Sequence, residues 1–102
     1  MEVKREKPIV CNWKRDSKST KDLCGYTYDE QTKKAILKYL RSYEPVAFST
    51  AKVFDYIAEK ETDVQAVLYT DGEYKWYESE VYHFEHYDLR LNDEFIEYVL
   101  KK

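Results

Sequence analysis

The sequence predicts an α+β domain: a small antiparallel sheet containing a hairpin, packed against about three helices. Three observations carry this. Apolar residues recur at three- and four-residue spacing over 35–43, the period of an amphipathic helix. A β-rich run over 64–69 leads into Asp71-Gly72 and a second short β-rich run, the pattern of a hairpin. Strands and helices do not alternate in βαβ order, which points away from a parallel sheet. The 102 residues form a single domain, 1–102, by the usual size range. A domain this small buries a modest share of its surface, so its stability margin is thin.

The elements follow in order. Residues 1–7, MEVKREK, are charged and expected to fray. Pro8-Ile9-Val10-Cys11-Asn12-Trp13 is an apolar segment that reads as an edge strand, with Pro8 tolerated at its start. Residues 14–22, KRDSKSTKD, are polar and read as a loop. Thr27 and Glu30 have the spacing of a capping box, which opens a helix over 28–42. Ala35, Ile36, Tyr39, Leu40 and Tyr43 form its apolar face, and Pro45 ends it. Over 45–57 the alternation of Val46, Phe48 and Thr50 favours a strand. A short helix over 51–59 is the competing reading. Strands over 64–70 and 73–77 then flank Asp71-Gly72, with positive φ expected at both turn centres. Ser79 is placed to cap a second helix, with Glu80 in its first turn and Val81, Phe84 and Tyr87 on one face. Asn92 caps a third, in which Phe95, Ile96, Val99 and Leu100 face the core. Lys101 and Lys102 lie at its negative end.

Composition narrows the function. The chain has 11 tyrosines, 4 phenylalanines and 2 tryptophans. Tyrosine has an apolar body and a polar tip, so it suits both a thin core and a partner surface. Net charge is −3, with a balance of +5 over residues 1–53 and −8 over 54–102. An acidic second half repels nucleic acid and attracts basic protein partners. The basic cluster Lys4, Arg5, Lys7, Lys14, Arg15, Lys18 and Lys21, with Trp13 among it, is the one feature that could touch phosphate. No apolar run approaches the roughly 20 residues of a membrane span. Cys11 and Cys24 form no CxxC pair, and nothing suggests secretion, so a cytoplasmic chain with reduced thiols is expected.

Catalytic signatures are thin. His83 and His86 stand three apart with Asp88 nearby, but this spacing lacks the third ligand of a zinc site. Cys24 precedes Gly25 and a capped helix, where a thiol pKa can fall. Two glycines cannot supply a phosphate-binding loop or a dinucleotide fingerprint. No metal, no cofactor and no catalytic residue is expected.

One resemblance bears on function. Tyr69-Thr70-Asp71-Gly72-Glu73-Tyr74-Lys75-Trp76, then Val81-Tyr82-His83-Phe84-Glu85-His86-Tyr87, then Leu91-Asn92-Asp93-Glu94-Phe95-Ile96, resembles a class of small bacterial proteins of similar length. Gly25-Tyr26-Thr27-Tyr28 and Ile36-Leu37-Lys38-Tyr39-Leu40 belong to the same resemblance. Proteins of this look resemble the immunity proteins of polymorphic toxin systems, which implies neutralisation of a cognate toxin by direct binding. The expected function is therefore an acidic protein-binding module of immunity type, with no nucleic-acid or membrane partner. Tyr74, Trp76, Tyr77, Glu78, Glu80, Glu85 and Asp88 are the expected contacts, because aromatic anchors and charged rims dominate interfaces. A small metal-dependent or hydrolytic enzyme built on His83 and His86, and a self-associating structural subunit, are the alternatives.

Overall fold

A computed structural model of the chain describes residues 9–11 and 13–102. The fraying expected of residues 1–7 and the role given to Pro8 lie outside the described residues. Four helices and three strands follow in order: α1 (Ser17–Leu23), α2 (Glu30–Leu40), β1 (Ala47–Asp55), β2 (Lys60–Thr70), β3 (Lys75–Tyr77), α3 (Glu78–Tyr87) and α4 (Asp93–Leu100). The strands form one antiparallel sheet in the order β1-β2-β3. The α+β architecture matches expectation, and 45–57 holds a strand rather than a helix.

Several local details differ from the sequence reading. Residues 17–23 form a helix where a loop was expected. Asp16 caps it, accepting a hydrogen bond from the Ser19 amide at 2.6 Å. The Trp13 indole N–H donates to Thr20 Oγ1 at 2.7 Å and pins the one buried residue of this polar helix. In the segment before it no strand forms among the described residues; Ile9 makes an isolated parallel bridge to Lys75. Asp29, not Thr27, caps α2, and its carboxylate accepts from the Thr32 amide at 3.3 Å. Glu30 instead pairs with Lys34 at 3.5 Å. Ser79 does not cap α3. That helix begins at Glu78, and the Glu80 carboxylate reaches back to the Tyr77 amide at 3.1 Å. Asn92 does occupy the cap position of α4. Ala35 and Leu100, assigned to core faces, are exposed.

The hairpin turn also differs in kind. Only Gly72 has positive φ, at 100°, so the connection is not the two-residue type I′ turn expected. Residues 71–74 form a longer loop closed by the Asp71 side chain, whose Oδ1 accepts from the Glu73 and Tyr74 amides, each at 2.8 Å. Asp55 closes the β1–β2 connection the same way, accepting from the Ile57 and Ala58 amides at 2.9 and 2.8 Å.

The remaining carboxylate oxygens tie these loops to helices. Asp55 Oδ2 accepts from the Tyr82 and Tyr87 hydroxyls of α3, at 2.7 and 2.6 Å. Asp71 Oδ2 accepts from Tyr39 of α2 and Tyr98 of α4. At the start of α3, Glu78 accepts from the Tyr69 hydroxyl of β2 at 2.6 Å, and both its oxygens accept from Arg41 Nη1 at 3.1 Å. The apolar core lies between the sheet and the helices and gathers Ile36, Leu40, Trp76, Val81, Phe84 and Phe95 among others. Trp76 is its centre, with Tyr43, Tyr69 and Phe95 rings at 5.8–6.2 Å. Its indole N–H donates to the Leu40 carbonyl at 3.2 Å and so satisfies the end of α2.

Gly72→Val should lower stability by roughly 1–3 kcal/mol, the cost of a β-branched residue in strained backbone. A Cβ there would meet nothing within 4 Å, so the whole effect is conformational. The urea midpoint measures it, and an unchanged midpoint would contradict the observed φ.

Candidate functional site

The most exposed apolar surface lies on β1. As an edge strand it is paired only to β2 among the described residues. Helix α3 packs across the sheet, but it covers only the end of β1, where Val53 and Asp55 are buried. The first six residues of the strand remain exposed. Phe48 is 69% exposed and the preceding Val46 59%, and Phe54 is also open to solvent.

Beside this edge is a groove of about 370 Å³. Its floor is β1 and β2, including Phe48, Lys52, Phe54, Ala66 and Leu68. Arg15, from the segment before α1, and Tyr77 and Ser79, from the β3–α3 junction, form the facing wall. The ladder beneath is irregular. Phe48 lies opposite Val67, Lys52 opposite Gln65 and Phe54 opposite Glu61, so each strand bulges once. Side chains satisfy the displaced backbone: Gln65 Nε2 donates to the Ser49 carbonyl at 3.1 Å, and Thr62 Oγ1 to the Val53 carbonyl at 2.7 Å.

Arg15 is held in place by aromatic rings and a carboxylate. Its guanidinium lies 4.4 Å from the centre of the Tyr77 ring and 6.0 Å from that of Trp13. Its Nη2 is 4.0 Å from Glu80 Oε1. Glu80 is only 4% exposed, and its Oε2 has no hydrogen-bond partner among the described residues. Burial pushes its pKa up to about 7, against the opposing pull of the Tyr77 amide, Arg15 and Lys75.

The seven expected contacts do not form one surface. Trp76 is wholly buried, and Glu78 and Glu80 are buried too. Tyr74 lies on the same side of β3 as Trp76, but that side faces α4: both rings pack on Phe95, at 5.1 and 6.0 Å. Tyr77 is half-buried under Arg15 and is the one member that lines the groove. Glu85 is exposed but bonded to Arg41 at 3.0 Å. Asp88 is paired with Lys33. Strand alternation correctly put Tyr74 and Trp76 on one face, but it carries no sign of which face is the core. The groove residues Phe48 and Lys52 were missed as contacts, and Arg15 was read only as part of a basic cluster; the alternation of Val46 and Phe48 was the signal for the strand.

The histidines do not converge. The Tyr56 amide donates to His83 Nε2 at 3.1 Å, so Nδ1 carries the proton and donates to the Ser79 carbonyl at 2.7 Å. Both nitrogens are thus occupied in a wholly buried ring, and burial pulls its pKa down. His86 is exposed. Among the described residues no group of three His, Cys, Asp or Glu side chains is placed to hold a metal ion. The Cys24 thiol does not have the lowered pKa its position suggested. Burial, then Asp55 and Asp88, push it up to about 11, and burial pushes Cys11 to about 12. Among the described residues no helix is long and apolar enough to cross a membrane.

The chain matches no protein-family model, no curated protein and no solved structure. Its site is therefore read from its own geometry.

Two outcomes follow. Trp76→Ala should cost roughly 3–5 kcal/mol, as large aromatic deletions from a core do; a folded variant with wild-type stability would remove Trp76 from the core. The pH profile should be a dome. For Asp55, burial works against ionisation, but its two backbone and two tyrosine donors hold its pKa down to about 2. Its contribution is present above the ordinary aspartate range and is lost as pH falls towards that value. Glu80 has the opposite sign: its folded pKa is raised, so stability declines as pH rises from the ordinary carboxylate range to about 7. Urea midpoints of the wild type should fall between about pH 5 and about pH 8, and Glu80→Gln should flatten that limb.

Proposed function

We propose that this chain is a protein-binding module whose partner docks on the open half of β1 and the groove beside it. The exposed Phe48 carries this reading. A large apolar side chain on an unpaired strand edge is a surface that soluble domains ordinarily cover or blunt. The resemblance to immunity proteins gives the reading its specific form: a cytoplasmic protein that neutralises a bacterial toxin by direct binding, without catalysis of its own. Against the enzyme alternative, both His83 nitrogens and the Cys11 thiol are bonded within the fold, and burial raises the Cys24 thiol pKa.

In this reading the acidic second half is not the contact surface. Glu78 and Glu85 are bonded to Arg41, Asp88 to Lys33, and Asp55 and Asp71 to tyrosines. Charges already paired within the domain contribute little to steering a partner.

The test is co-purification of the tagged chain with the product of the neighbouring gene. Wild type should retain the partner and suppress its toxicity. Phe48→Ser should lose both while keeping its circular dichroism spectrum. Equal retention by Phe48→Ser would remove β1 from the interface, and absence of any complex would count against the binding reading.

A further inference from the structure

We infer that the partner presents an extended acidic segment, which adds as a further strand to the outer edge of β1 and sets carboxylates against Arg15 and Lys52. The inference rests on the binding reading above and specifies the chemistry of the ligand. The first support is the backbone. β1 is paired on one side only among the described residues, so its outer peptide groups are available to an added strand. The opposite edge of the sheet differs, since β3 takes the bridge from Ile9.

The second support is charge. Among the described residues the charged ones lining the groove are Arg15 and Lys52, and no carboxylate does. Lys52 makes no ion pair or hydrogen bond among the described residues. Arg15 is fixed over Tyr77 with its side chain 44% exposed, so it is already oriented to meet an incoming anion. The groove therefore has the sign opposite to that of the chain as a whole, whose net charge is −3.

The third support is shape. The groove lies over β1 and β2, and its lining is mostly apolar between the two cations. In an added strand, alternate side chains face opposite sides. One set would enter the groove along Phe48 and Phe54. A carboxylate in that set would reach the cations at the rim. A second copy of this chain fits less well, because β1 against β1 would bring a second Lys52 and Arg15 to a rim that is already cationic.

The experiment uses fluorescence anisotropy with a labelled, acetylated peptide of alternating valine and glutamate. Two controls accompany it: the same peptide with lysine for glutamate, and the glutamate peptide N-methylated on alternate backbone nitrogens. The glutamate peptide should bind and both controls should not. Lys52→Glu should weaken binding about fivefold to tenfold, and Phe48→Ser about tenfold or more, with circular dichroism unchanged. Equal or better binding of the lysine peptide would overturn the charge assignment. Equal binding of the N-methylated peptide would overturn strand addition. A dimer in sedimentation that Phe48→Ser abolishes would make a second copy the occupant and overturn the proposal. If the glutamate peptide fails while Phe48→Ser still breaks the complex with the neighbouring gene product, this inference falls and the binding reading stands. If Phe48→Ser leaves that complex intact, both fall.

Discussion

Asp55 and Asp71 each accept four hydrogen bonds, and the arrangement of sheet and helices depends on those bonds. A buried carboxylate is costly unless its oxygens are satisfied. Here one oxygen closes the loop leaving a strand, and the other takes two tyrosine hydroxyls from helices. Hydrogen bonds to an ionised acceptor are roughly twice as strong as neutral ones. The two strand ends are therefore fixed to α3 on one side and to α2 and α4 on the other. The abundance of tyrosine has the same origin. Five of the 11 donate to a carboxylate, counting Tyr69 on Glu78. A sixth, Tyr28, donates to the Leu89 carbonyl and accepts from the Leu91 amide, which fixes the α3–α4 connection.

Much of the fold was legible because burial imposes period. The apolar spacing of Ile36, Leu40 and their neighbours, and of Phe95 and Val99, revealed α2 and α4. Alternation revealed β1, and the Asp-Gly pair located the β2–β3 loop, though not its conformation. Helix α1 was missed because its sequence, SKSTKDL, has almost no apolar face; a cap, the Trp13 indole on Thr20 and Leu23 against the core hold it. The site was less legible. Strand order is not written in local sequence, so nothing marked β1 as an edge. Nor does a sequence distinguish a tyrosine that donates inward from one that faces a partner.

The charge asymmetry shows how a true count can mislead. The second half of the chain does carry the excess of carboxylates. Folding pairs several of them with cations from the first half, as in Arg41 with Glu78 and Glu85 and Lys33 with Asp88. Arg41 is held above even the ordinary arginine pKa: burial opposes this, and the two glutamates outweigh it. What faces solvent at the groove is then the pair of cations from Arg15 and Lys52.

The three strands and α3 follow one another along the chain and pack in that same order, from Ala47 to Tyr87. Val10 and Cys11 meet the rest of the domain across a long span. Cys11 donates its thiol hydrogen to the Arg90 carbonyl across 79 residues, and the Asn92 amide donates to the Val10 carbonyl at 2.8 Å. Loop-closure entropy grows with span, and contacts near in sequence are the quickest to form. During synthesis Val10 and Cys11 are made long before Arg90 and Asn92, the residues that bind them. Val10 and Cys11, both core residues, must therefore wait in solvent for the last helices. Completing the core is thus a late step, in which Val10 and Cys11 meet Arg90 and Asn92.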